Sequence, residues 1–151
     1  MADPADDSPA QAAFTRLVLL VFQLNGRLLD AGDRLAAPAG QTSARWQVMG
    51  VVDHEPLTVA AVARRMGLRR QSVQRTADLL VADGVAEYLD NPTDRRAKLL
   101  TLTSSGRRAV RRIERAQRAW ARELGEAVGL ESLVQAEDAL GTVVALLERR
   151  A

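Results

Sequence analysis

Apolar residues three and four apart open the chain. Phe14, Leu17, Val18, Val21, Leu24 and Leu28 mark one face of a long helix from Ala10 to about Leu35. Asn25-Gly26 lies inside it, a dipeptide usual in hairpin turns, but its flanks do not alternate as strands do, so the helix is kept. Ala36 to Gly40, with Pro38, is a break. Thr42 or Ser43 caps a short second helix to about Asp53, with Trp46 and Met49 or Gly50 on its inner side, and His54-Glu55-Pro56 ends it. Thr58 caps a third helix whose buried stripe is Val59, Val62, Ala63 and Met66, closed by Gly67. A fourth starts near Arg70, turns Val73, Ala77 and Leu80 inward, and stops at Asp83-Gly84.

The period then changes to two. Val85 to Leu89 and Ala97 to Thr103 read as strands, joined by the turn-rich tip Asp90-Asn91-Pro92-Thr93-Asp94. Thr103-Ser104-Ser105 caps a fifth helix to about Val128, and Gly129 separates it from a sixth, about Glu131 to Arg149, with Leu133, Leu140 and Leu147 at heptad spacing. The order is α-α-α-α-β-β-α-α, mainly α, and residues 1–9, with three Asp and two Pro, form a loose tail.

Composition narrows the function. The 151 residues suit one domain with one core, and 47% apolar against 26% charged residues is a globular balance. There is no cysteine and a single histidine, so thiol chemistry and Cys-ligated zinc are excluded, and no metal site, cofactor or catalytic residue is expected. No nucleophile–base pair or phosphate loop is recognisable, which argues against an enzyme. The acidic N-terminus lacks the basic start of a signal peptide, and no run of 18 apolar residues occurs, so a cytoplasmic protein with no membrane span is expected. Charge, by contrast, is segregated. Thr58 to Arg118 holds fourteen positive and six negative residues, net +8, while the remainder is net −6. A basic middle between acidic ends is the footprint of a polyanion partner.

Two short helices joined by a tight glycine turn and followed by a β-hairpin make a winged helix-turn-helix. The fourth helix would show Arg69, Arg70, Gln71, Ser72, Gln74 and Arg75 on its outer side. A major groove about 12 Å wide admits one helix; Arg can grip guanine O6/N7, Gln can grip adenine N6/N7, and Ser donates to phosphate. Double-stranded DNA is therefore the expected partner.

The run Leu57-Thr58-Val59-Ala60-Ala61-Val62-Ala63-Arg64-Arg65-Met66-Gly67-Leu68, then Val73 and Arg75, Asp83-Gly84-Val85, and Asp94-Arg95-Arg96 with Leu102-Thr103 and Gly106, resembles the MarR (multiple antibiotic resistance regulator) family. The resemblance implies a homodimeric regulator, usually a repressor, on a pseudo-palindromic operator. It assigns 10–40 and 104–151 to dimerisation and 41–103 to a DNA-binding lobe. The fourth helix would enter the major groove, and Arg95 or Arg96 the adjacent minor groove, with Asp94 orienting the arginine by a charge-assisted bond. Two departures bear on this. Arg69 stands where a small N-cap residue is usual, and Tyr88-Leu89 follows Glu87 where basic residues are common, so the wing would lean on Arg95, Arg96 and Lys98. Phe14, Phe22 and Trp46 are candidates for a pocket for a small aromatic or lipophilic effector, against the more usual role of core packing. The competing reading is a dimeric winged-helix adaptor for a protein partner.

Overall fold

The computed structural model describes residues 8–150, so the tail expected over 1–9 lies almost entirely outside the described residues. The elements are α1 (Pro9–Ala36), a 3-10 turn (Ala37–Ala39), α2 (Ser43–Asp53), β1 (Leu57–Thr58), α3 (Val59–Met66), α4 (Arg70–Ala82), β2 (Ala86–Leu89), β3 (Leu99–Leu102), α5 (Ser104–Val128) and α6 (Leu130–Glu148). Two compact units divide at Ile113, inside α5.

In the first unit, Ser8 caps α1 by accepting from the Gln11 N–H, and Pro9 occupies the first turn, where its missing N–H costs nothing. The helix runs straight through Asn25-Gly26. Near its end Ala31, Gly32 and Ala36 are buried, and the Asp33 carboxylate accepts from the Ser43 N–H at 2.6 Å, satisfying a first-turn donor of α2 from outside that helix.

The core gathers Val48, Met49 and Val52 from α2, Val62 from α3, Val73, Ala77 and Leu80 from α4, and Leu100 and Leu102 from β3. These are the inward positions expected on α3 and α4; on α2, Met49 is buried while Trp46 is only half-buried. The sheet is antiparallel with order β1-β3-β2 and has one strand more than expected. β1 is two residues long, with Leu57 opposite Leu100, too short to leave a periodic signal. Thr58 both closes this strand and caps α3, accepting from the Ala61 N–H.

In the second unit, α6 buries no residue. Leu133 and Leu147 of the expected heptad stripe are exposed, as are Leu130, Val134 and Val144. The apolar side of α1 is likewise open: Phe14, Leu19, Leu20, Phe22, Leu24 and Leu28 all face outward. This corrects the expectation that the α1 aromatics are core. By length and composition alone the segment Pro9–Ala39, whose most apolar 18-residue window has mean hydropathy 1.3, is long and apolar enough to cross a membrane, a test that an apolar helix of a soluble protein also passes. Scattered polar residues conceal this when only unbroken apolar runs are counted. The end of α1 is instead engaged with α2 through Asp33, and a polar N-terminal helix cap is a protein contact, not a lipid one.

Candidate nucleic-acid interface

α3 stops abruptly. Gly67 takes φ 62°, its N–H donates to the Arg64 carbonyl, and the Leu68 N–H donates back to the Ala63 carbonyl. This closure satisfies the last carbonyls of the helix, and its left-handed residue favours glycine. Three residues later the chain is in α4. Val73, Ala77 and Leu80 anchor that helix, leaving Arg69, Arg70, Gln71, Ser72 and Arg75 exposed. Arg69 occupies the N-cap position without any side-chain capping bond; the Ser72 and Val73 N–H groups donate to its carbonyl, and those of Arg70 and Gln71 receive no cap from it. Among the described residues no hydrogen bond or ion pair engages the guanidinium groups of Arg69, Arg70 or Arg75.

Gln74 differs from this group. It is half-buried, and its Nε2 donates to Asp78 Oδ1 and to the Tyr88 hydroxyl, both at 2.9 Å; Tyr88 in turn donates to Asp78 Oδ1 at 2.8 Å. Both amide hydrogens are thus committed within the protein, whereas pairing with adenine would need one of them, which sets Gln74 apart from its exposed neighbours. Burial, and then the Asp78 hydrogen bond and charge, push the Tyr88 phenol up to about 12, against a smaller opposing effect from Gln74. The raised value means that the phenol's contribution to stability is complete below pH about 10 and is lost as pH rises through about 12. Tyr88 is the only tyrosine, so phenolate absorbance reads it alone. Folded protein should show ionisation near pH 12, and Asp78→Asn should bring it down; ionisation at the ordinary value in folded wild type would contradict the arrangement.

The wing is braced by Asn91, a buried residue that sequence reading placed only as part of a turn. Its Nδ2 donates to the Ala97 carbonyl at 3.0 Å, and its Oδ1 accepts from the Thr93 N–H and hydroxyl. The Asx-turn chemistry of Asn-Pro-Thr was the available signal. Asp94 departs from its expected role: Oδ1 accepts from the backbone N–H of Arg96 at 2.9 Å, a local turn bond that a carboxylate two residues upstream reaches readily, and no ion pair joins it to Arg95 or Arg96. Both arginines stand exposed at the tip. A cleft of about 220 Å³ between α4 and the wing brings Arg70, Gln74, Arg96 and Lys98 together with Tyr88 and Thr58. Trp46 is half-buried on α2, whereas Phe14 and Phe22 are exposed on α1; none of the three lines this cleft.

Three contacts hold this surface to its support. Arg45 of α2 pairs with Asp83 at the end of α4, at 2.7 Å. The Thr103 hydroxyl donates to the Gly84 carbonyl at 2.8 Å and accepts from the Gly106 N–H at 3.2 Å, so one side chain caps α5 and ties it to the turn before β2. At Gly106 the backbones meet so closely that an added Cβ would lie 2.0 Å from the Val85 carbonyl oxygen. This contact gives the Leu-Thr-x-x-Gly signature its physical meaning.

A MarR-family model matches residues 39–97, from the turn before α2 to the end of the wing tip. The chain belongs to the MarR family. Its MarR fold is similar to a mutant of MarR from Escherichia coli complexed with operator DNA (TM-score 0.80, 21% identity, 90% of this chain and 99% of that one). It is also similar to CouR from Rhodococcus jostii bound to p-coumaroyl-CoA (TM-score 0.73, 24% identity, 84% and 90%). Among relatives by sequence, an uncharacterised protein of Mycobacterium tuberculosis is 41% identical over 133 residues, 88% of this chain and 93% of the relative. The transcriptional activatory protein BadR of Rhodopseudomonas palustris is 28% identical over 109 residues, 70% of this chain and 62% of BadR. This MarR-family chain is a transcription regulator and not an enzyme.

Proposed function

We propose that this MarR-family regulator is a homodimeric repressor of a pseudo-palindromic operator, acting in the cytoplasm. The observation that carries the reading is the set of unpartnered guanidinium groups, Arg70 and Arg75 on α4 and Arg95 and Arg96 on the wing, of which Arg70 and Arg96 line one cleft. Arg70, Gln71 and Arg75 would read base edges in the major groove, with Arg69, Ser72 and the uncapped N–H groups of Arg70 and Gln71 on phosphate. Arg95, Arg96 and Lys98 would follow the adjacent minor groove, where narrowing strengthens the negative potential. The similar MarR structure with operator DNA supports this use of the fold.

Dimerisation is supported by the exposed apolar residues of α1 and, separately, by those of α6, since large exposed apolar patches mark contact sites. Helices over 10–40 and 104–151 form the dimer region in this reading, and Phe14 and Phe22 belong to that face. The two α4 helices would then address half-sites about 34 Å apart. A small aromatic or lipophilic ligand would release DNA by favouring dimers with mis-spaced α4 helices, with Trp46 the remaining aromatic candidate for contact. The CouR complex with p-coumaroyl-CoA supports such a ligand class.

The test is an anisotropy titration with DNA from upstream of the protein's own gene. Affinity should fall steeply with salt as arginine–phosphate contacts release counterions. Arg75→Ala should cost about 1–3 kcal/mol and relax preference at one base position. Salt-independent or absent DNA binding would favour the protein-adaptor reading, and a stable monomer in sedimentation would overturn the repressor mechanism.

A further inference from the structure

The closed ring of hydrogen bonds between α4 and β2 does more than satisfy polar atoms. Asp78 and Gln74 lie one turn apart on α4, and Tyr88 comes from the first strand of the wing, so each of the three bonds two others. Among the described residues these are the side-chain hydrogen bonds that join the wing hairpin to α4. Beyond Tyr88 the hairpin is braced by Asn91 to Ala97, by the pairing of Leu89 with Leu99 and by that of Leu99 with Thr58 of β1, but by no side-chain hydrogen bond to α4. The wing tip is thus a stiff lever whose angle is set at its base.

We infer that Tyr88, held by Asp78 and Gln74, is a positioning residue that sets the distance between the α4 arginines and the wing arginines, and thereby the operator's selectivity. This rests on the DNA-binding reading above. The physical reason is that two grooves must be engaged together. Arg70 and Arg75 can read major-groove edges only in a register that also carries Arg95 and Arg96 to the neighbouring minor groove. A wing set at another angle still finds phosphates on any duplex, because phosphate contacts carry no sequence information. Loss of the clamp therefore removes discrimination while leaving general affinity. Cationic groups at the same cleft, Arg70, Arg96 and Lys98, share no hydrogen bond with the ring, so they are displaced by its loss and not directly unpaired.

Tyr88→Phe removes one hydroxyl and keeps the ring. The ratio of operator affinity to affinity for an unrelated duplex should fall about tenfold. Affinity for the unrelated duplex and its salt slope should be unchanged. In the free protein, amide hydrogen exchange over Asp90 to Lys98 should quicken, while that of the α4 core positions Val73 and Leu80 should not. Gln74→Ala should reproduce this pattern; if Gln74 reads a base instead, it will relax preference at one position and leave wing exchange unchanged, which overturns the clamp. A Tyr88→Phe variant with full selectivity also overturns it, without touching the regulator reading. A wild-type protein that binds its upstream DNA no better than the unrelated duplex sinks both.

Discussion

Arg95→Ala combined with Arg96→Ala is expected to nearly abolish operator binding. Both side chains stand exposed at the wing tip, and neither is held by an ion pair among the described residues, so their removal leaves the fold without a lost partner. The tip itself survives, because its turn is built from Asn91 and from the Asp94 carboxylate on the Arg96 backbone N–H, which alanine also provides. The loss therefore reports on DNA contact. At about 1–3 kcal/mol for each contact, the double variant should bind about thirtyfold or more weakly, and the salt slope should flatten by about two counterions. Anisotropy at several salt concentrations, with circular dichroism confirming the fold, checks both figures. Unchanged operator affinity would remove the wing from the interface.

Gly106→Ala should destabilise the protein severely, by about 3 kcal/mol or more, at the upper end of overpacking costs. The sign is the informative part. In a helix interior, alanine is ordinarily about 1 kcal/mol better than glycine. Here the added methyl would sit 2.0 Å from the Val85 carbonyl oxygen, which also accepts the Thr103 N–H. Neither backbone can yield without opening that bond and the Thr103 bridge to Gly84. Gly50→Ala is the matching control: it lies inside α2 with no atom near the position of its Cβ, and it should be neutral or slightly stabilising. The denaturant midpoint should fall for Gly106→Ala and hold or rise for Gly50→Ala. A Gly106→Ala midpoint equal to wild type would mean that α5 does not pack on the turn before β2 at this distance.

The helix-turn-helix was legible because its determinants are local. Thr58 caps α3, Gly67 ends it, and the Val73, Ala77 and Leu80 stripe fixes which side of α4 is left for arginine. The two wing strands were legible for the same reason, a change of period between turn residues. The two-residue β1 was not, since its only signature is its pairing with β3. The site divides in the same way. Arg70, Gln71 and Arg75 could be placed outward from spacing alone, but Gln74 shares their pattern and is drawn inward by Tyr88, fourteen residues away, which the hairpin delivers. Asp94 was correctly placed in the wing and given the wrong partner, because a short carboxylate in a turn meets backbone N–H groups before it meets a long, solvated guanidinium.

By itself, the order of residues determined the helices, the hairpin between them and the crowding of arginine onto the middle of the chain, because capping, periodicity and net charge act over a few neighbouring positions. The tertiary structure alone decided which polar side chains remain available. Hydrogen-bond partners distant in sequence meet only after the core has closed, and their meeting turned Gln74 and Tyr88 from surface residues into a joint between helix and wing. It also decided that the apolar side of α1 stays uncovered within one chain, since periodicity identifies an apolar face but not what lies against it.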